Sequence, residues 1–138
     1  MVKATDIAWL SGIIDGEGCI YARQISKRGL TFRITIETVS ESMIDKVQQI
    51  LNQCNVEYRI EPPVWRERST RFAHRLKVDK KQAVLKLCNL ILPYSVVKKP
   101  ELVLIKSFLD KAIEVIYYSA TEEDLKILTE LKELKKVA

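Results

Sequence analysis

Two carboxylates close a stretch that otherwise reads as an apolar helix. Asp15 and Glu17 stand near its end, interleaved with Gly16 and Gly18. Acids at a helix C-terminus face the negative end of the helix dipole, which is unfavourable. A cation bound there removes the conflict. Gly12 and Gly16 are four apart and share one helical face. Small residues on that face allow a second helix backbone to come very close. Leu10, Ile13 and Ile14 pack the rest of that seam and the core below it. Other chemistries find little support. His74, the single histidine, falls on the apolar parity of its strand and reads as a satisfied core residue. Cys19, Cys54 and Cys88 are far apart and form no CxxC pair, which argues against zinc and against a disulfide scaffold. They read as small buried apolar residues of a reducing compartment. No Ser-His or Cys-His pair offers a protein nucleophile.

A second set of residues points to an anionic partner. The polar parity of the expected strands carries Tyr21, Arg23, Thr31, Arg33, Thr35, Arg59, Arg71, Arg75 and Lys77, and the turns add Lys27, Arg28, Arg66 and Arg68. Such a surface attracts phosphates through charge and counterion release. Arginine forks, threonine hydroxyls and the acids Glu37, Glu57 and Glu61 also have the groups to read base edges in a major groove. Outward strand positions are polar in most proteins, so on these residues alone nucleic-acid contact and plain solvation both stay open. The formal net charge of +5 agrees with the first without requiring it. Trp65 beside Pro63 reads as a loop anchor rather than a stacking platform, and Lys132, Lys135 and Lys136 as a solvated helix face.

The elements that must position these groups follow from changes of hydrophobic period. Thr5 caps a first helix through Ile14, followed by a strand over Cys19–Ile25 and a polar turn at Ser26–Gly29. Leu30, Phe32, Ile34 and Ile36 alternate with polar residues as a half-buried strand. Ser40 caps a second helix ending near Asn55. Val56, Tyr58 and Ile60 begin a third strand, which Pro62 and Pro63 bar from the centre of a sheet. Phe72–Val78 forms a fourth. Asp79 caps a third helix that Pro93 ends. A fourth helix runs from about Lys99 to Tyr118 with Pro100 in its first turn, and Thr121 with Asp124 opens a last one. The order predicts an α+β domain with helices on one face of an antiparallel sheet and the other face exposed. With 47% apolar residues the chain is no disordered segment. Residues 1–138 read as a single domain without a linker. With no targeting segment and no membrane-length apolar run, the expectation is an intracellular protein that is neither secreted nor membrane-bound.

Residues 10–18, Leu-Ser-Gly-Ile-Ile-Asp-Gly-Glu-Gly, closely resemble the Leu-Ala-Gly-Leu-Ile-Asp-Ala-Asp-Gly signature of the LAGLIDADG homing endonucleases. Trp9 just before them looks familial as well, and the element order matches. The resemblance implies the αββαββα homing-endonuclease fold with a saddle-shaped antiparallel sheet. It implies that two copies of the motif helix pack together. One copy in this chain then means a homodimer, with Leu10, Gly12, Ile13 and Gly16 at the interface. It places Glu17 and Gly16 at Mg2+, which Mn2+ can replace, and leaves Asp15 to hold the helix end. No small-molecule cofactor is implied. Leu92–Lys99 resembles the family segment that brings a lysine to the active site; Lys98 fits best and Lys99 is the fallback. The water-orienting residue at the end of the second strand falls on Glu37 or Thr38. The implied function is site-specific, metal-dependent cleavage of a long, near-palindromic double-stranded DNA target, probed through the major groove by the strand residues named above, as in an intron-encoded homing enzyme. The alternative is a relative that binds DNA or RNA without cutting, such as a splicing maturase or regulator.

Overall fold

The computed structural model describes residues 2–65, 72–115 and 118–137. In chain order these form α1 (Ala4–Glu17), β1 (Gly18–Ser26), β2 (Gly29–Thr38), α2 (Glu41–Gln53), β3 (Arg59–Trp65), β4 (Phe72–Val78), α3 (Lys81–Ile91), α4 (Lys99–Ala112) and α5 (Glu122–Val137). The strands make one antiparallel sheet in the order β1-β2-β4-β3. This is the expected α+β arrangement.

The period of two decides which side chains enter the core. Ile20, Phe32, Ile34, Ile36, Leu76 and Val78 are buried on the helix side of the sheet. Against them pack Leu10 and Ile14 of α1, Val47 and Leu51 of α2, Leu87 and Ile91 of α3, and Leu102 and Ile105 of α4. Ser11, buried on α1, donates from Oγ to the Ile91 carbonyl at 3.2 Å and fixes α1 against α3. Pro62 and Pro63 lie in β3, an edge strand, where its register against β4 shifts between Glu61 and Val64. An edge position tolerates the missing donors. Ile60 is correspondingly exposed.

Several boundaries differ from the sequence expectation. Helix α1 starts one residue before Thr5, with Lys3 at its cap and no side-chain cap bond. Ser40 does cap α2, accepting from the Met43 amide at 3.2 Å. Asp79 does not cap α3: Lys80 holds that position, and the Asp79 carboxylate pairs with Arg59 of the edge strand instead. Residues 56–58 precede β3, although Val56 is buried. Helix α4 ends at Ala112, well before Tyr118. The Lys81 ammonium donates to the Ala112 and Val115 carbonyls at 3.1 and 2.9 Å, which serves acceptors a longer helix would have used internally. Tyr118 then turns back edge-on to Phe108, with ring centroids 5.3 Å apart.

The expected capping box opens α5. The Thr121 hydroxyl accepts from the Asp124 amide, and the Asp124 carboxylate accepts from the Thr121 amide, each at 3.0 Å. The buried Asp124 also accepts from Lys111 and from the Tyr118 hydroxyl. Burial raises its carboxyl pKa, but Lys111, Thr121 and Tyr118 more than offset this and bring it to about 2. A depressed carboxyl stabilises the fold above its ordinary pKa and loses that contribution as pH falls towards the folded value. Asp124→Ala is therefore expected to cost about 2 kcal/mol near neutral pH, from the lost cap and the polar partners left unpaired. The gap between wild type and variant in denaturant unfolding should shrink as pH drops from about 4 towards 2.

Candidate functional site

The end of α1 is sharply defined. A Cβ on Gly18 would lie 2.5 Å from the Ile14 carbonyl oxygen, so only glycine lets the chain leave the helix here. The Gly18 amide donates back to that carbonyl. Glu17 is thus the last helical residue and Gly18 the first of β1. Glu17 is exposed and engages no hydrogen-bond or ion-pair partner among the described residues.

Asp15 is committed elsewhere. Its carboxylate accepts from the Ser95 hydroxyl at 2.9 Å, the Val96 amide at 2.9 Å and the Lys98 amide at 3.1 Å. Burial raises its pKa, but these donors and the Val97 amide outweigh it and hold the carboxyl below its ordinary value. The same segment carries Lys98 to the helix end, where its ammonium donates to the Asp15 carbonyl at 3.3 Å. The structure therefore brings Lys98 to the end of the helix that bears Glu17, while Lys99 is exposed in the first turn of α4. Ser95 is buried and central to this arrangement, and its only signal in the sequence is its place inside the Leu92–Lys99 segment.

The open side of the sheet carries the polar strand residues in rows. Cross-strand partners share a face, and the register pairs Tyr21 with Arg33, Arg23 with Thr31, Thr35 with Lys77, Glu37 with Arg75, and Lys77 with Arg59. Much of this charge is compensated within the sheet. Arg75 reaches Glu37 and Glu61 at 3.2 Å each, Lys77 also pairs with Glu61, and Arg59 pairs with Asp79. The Lys77 hydrogen bond is the main reason the Glu61 carboxyl lies below its usual range. Arg33 stacks on Tyr21 with its guanidinium carbon 4.8 Å from the ring centroid. Arg23 and Lys27 are exposed and form no ion pair among the described residues. Arg28 donates to the Ala120 carbonyl at 3.2 Å and so ties the β1–β2 turn to the C-terminal segment. Thr35 is buried beneath its neighbours. Arg66, Arg68 and Arg71 lie outside the described residues. Of the two candidates for orienting water, Glu37 pairs with Arg75 and Thr38 accepts from the Ser40 amide at 3.1 Å, in the turn before α2.

Lys135 corrects the reading of the C-terminal lysines as a solvated face. Its ammonium donates to the Ile20 carbonyl and lies 5.2 Å from the centre of the Tyr21 ring. No local pattern announces a contact spanning 115 residues.

The proposed seam on α1 also needs one correction. Gly12 and Gly16 are exposed, and a Cβ on either would meet nothing within 4 Å. Ile13 is half-buried beside them. Leu10 is fully buried with Ile7 and Ile14 and cannot line a surface, because the inward stripe of the helix runs through it.

The donor set fits a hard divalent cation that is shared rather than enclosed. Glu17 offers an uncommitted carboxylate, and among the described residues no three His, Cys, Asp or Glu side chains gather as a cage. Mg2+ commonly needs only one or two carboxylates, with water and substrate phosphate completing its shell.

The comparisons with known proteins bear on the family and the fold. A LAGLIDADG-like domain matches residues 4–91, more than half of the chain. A search of curated protein sequences found no match. Among solved structures, the homing endonuclease I-CvuI in complex with its target in the presence of Ca superposes with a TM-score of 0.62 at 16% identity, covering 96% of each chain. The LAGLIDADG meganuclease I-AabMI bound to uncleaved DNA gives 0.62 at 18% identity, over 91% of this chain and 43% of that one. The homing endonuclease I-LtrWI bound to target DNA gives 0.62 at 12%, over 91% and 44%. The motif from Leu10 to Gly18 lies within the matched residues, and the chain belongs to the LAGLIDADG family, with the fold of the homing endonucleases.

Proposed function

We propose that the protein is a site-specific DNA endonuclease that acts as a homodimer and hydrolyses phosphodiesters with a divalent cation, Mg2+ in the first instance. The observation that carries this is the end of α1. There the free carboxylate of Glu17 and the uncovered glycine face of α1 meet Lys98, which the segment before α4 brings to the helix end. Similar proteins whose structures hold DNA, among them I-CvuI complexes obtained in the presence of Ca and, with the DNA not cleaved, of Mg, support DNA as the substrate and a divalent cation as the ion.

Gly12 and Gly16 leave the outer face of α1 flat, so a second α1 can approach across a two-fold axis. That approach places two Glu17 side chains side by side and doubles the carboxylates available to a cation. A cation bound there would supply charge neutralisation at phosphate oxygens and a more acidic water. The rest falls to the protein. Glu17, with the adjoining Gly16 backbone, would hold the ion. Asp15 stays ionised and keeps segment 95–98 in place. Lys98 carries a positive charge to the same point, where it stabilises negative charge developing on phosphate. The sheet positions the duplex: Arg23, Lys27 and Arg33 meet the backbone, and Glu37, Arg59, Arg75 and Lys77 exchange partners within the sheet for base edges in the major groove. Two-fold symmetry makes the target long and near-palindromic.

Glu17→Gln keeps size and polarity but removes the charge that holds the ion. Cleavage of the cognate duplex should fall by at least about 100-fold, with DNA affinity in a gel-shift titration nearly unchanged. Tight, salt-sensitive binding by a wild type that never cuts would instead identify a binding relative. Gly12→Leu tests the dimer. The protomer has open space at that position, and replacing a helical glycine favours the helix by up to about 1 kcal/mol. The variant should therefore fold and sediment as a monomer, and a dimeric variant would move the interface off α1.

A further inference from the structure

The sheet face contains a polar atom that its surroundings leave unserved. Thr35 stands at the middle of β2, opposite Cys19 on β1 and Lys77 on β4. It is only 6% exposed although it points away from the helices. Its hydroxyl finds no hydrogen-bond partner among the described residues. Leaving a buried hydroxyl unpaired is unfavourable, and native proteins rarely do so without water or an ion nearby. Thr35 also stands in the wall of a cavity of about 90 Å3 that Glu17, Glu37, Arg75 and Lys77 line as well. That space is ample for water, and the lining offers the several polar partners that a held water requires.

We propose that Thr35 is a positioning residue whose hydroxyl holds an ordered water in this cavity, linking the Glu17 carboxylate to the Arg75–Lys77 row. Lys77 is the cross-strand neighbour of Thr35, and Arg75 and Lys77 both pair with Glu61. The water therefore stands where ion pairs on the recognition face meet the carboxylate of the cleavage site. A shift of Arg75 or Lys77 onto DNA changes its hydrogen bonds, and with them the setting of Glu17. Residues that read the target and the residue that holds the ion are thus joined through solvent. This inference rests on the endonuclease reading for its effect on cleavage, though not for the water itself.

Thr35→Val removes the hydroxyl at nearly constant shape, and Thr35→Ser retains it. In single-turnover assays with saturating protein, Thr35→Val should cut bound DNA about tenfold more slowly. Its Kd for DNA should stay within about twofold of wild type, and Thr35→Ser should restore the rate. A residue that only supported the fold would not divide rate from affinity in this way. The free protein gives a second readout. If water serves the hydroxyl, the Tm of Thr35→Val equals or falls below that of wild type, and a crystal of the wild type shows solvent density at Thr35 Oγ1. A raised Tm, the result for a hydroxyl with no partner, overturns the proposal, as does an unchanged cleavage rate. Should the wild type fail to cut any duplex, the endonuclease reading falls, and the Tm and solvent density then decide the hydration site by themselves.

Discussion

The arrangement of this molecule turns on the Asp15 carboxylate. It accepts two backbone amides and one hydroxyl from residues 95–98, a segment some 80 positions away in sequence. An ionised carboxylate with several such donors forms strong charge-assisted bonds. Their consequence is geometric. The end of α1 and the start of α4 become one rigid piece, and Lys98 is delivered beside the helix end that exposes Glu17. The two acids of the motif therefore have opposite duties. Asp15 spends its hydrogen-bonding capacity on the protein, and Glu17 has no partner among the described residues. The division also eases the electrostatic conflict of two carboxylates at a helix C-terminus, since the charge of one is met locally by hydrogen-bond donors.

The open sheet obeys a different logic. A field of unpaired arginines would repel itself and bind polyanions without discrimination. Here Arg75 is held between Glu37 and Glu61, Lys77 shares Glu61, and Arg59 is taken by Asp79. Such pairs are half-exposed, so each contributes little to stability. They do orient the guanidinium and ammonium groups before any ligand arrives, and they require that a ligand replace what it displaces. A partner that presents acceptors and donors in the matching order restores those bonds, and one that does not leaves charges unpaired. Discrimination of this kind comes from the penalty on the wrong partner as much as from attraction to the right one.

Much of the fold and part of the site were legible in the sequence, for local reasons. Alternation in β2 and β4 fixes which residues face the helices, the Ser40 and Thr121 caps begin α2 and α5, and Pro62 with Pro63 keeps β3 at the edge. What escaped sequence reading depends on partners distant along the chain. Thr5 and Asp79 have the right chemistry to cap helices, yet Asp79 goes to Arg59 across the sheet. The apolar period continues past Ala112, but Lys81 takes the carbonyls that mark the end of α4. Leu10 belongs to the motif and still faces inward, since the motif shows that one helical face is smooth without showing which neighbours close the other. Lys135 looks solvated until α5 is laid against β1. Ser95 has no signature beyond a hydroxyl in a loop.

The C-terminal elements have a larger part in the site than their position in the chain suggests. The family match ends at residue 91, and α4 and α5 lie beyond it. Yet Lys98 belongs to the approach to α4, and β1, which begins where Glu17 ends, is an edge strand with only β2 beside it. Edge strands have free backbone groups and fray readily unless covered or pinned. Lys135 of α5 binds a β1 carbonyl at Ile20, and Arg28 and Ala120 exchange two bonds that clamp the β1–β2 turn to the segment entering α5. Asp124 in turn locks the start of α5 to Lys111 and Tyr118. The result is a chain of contacts from the last helix to the first strand. The strand that follows the Glu17 carboxylate is thus held from both sides: by β2 through its ladder and by α5 through side chains. A carboxylate placed at the junction of α1 and β1 keeps its position only if both of those elements do, and the C-terminal helices are what secures the second.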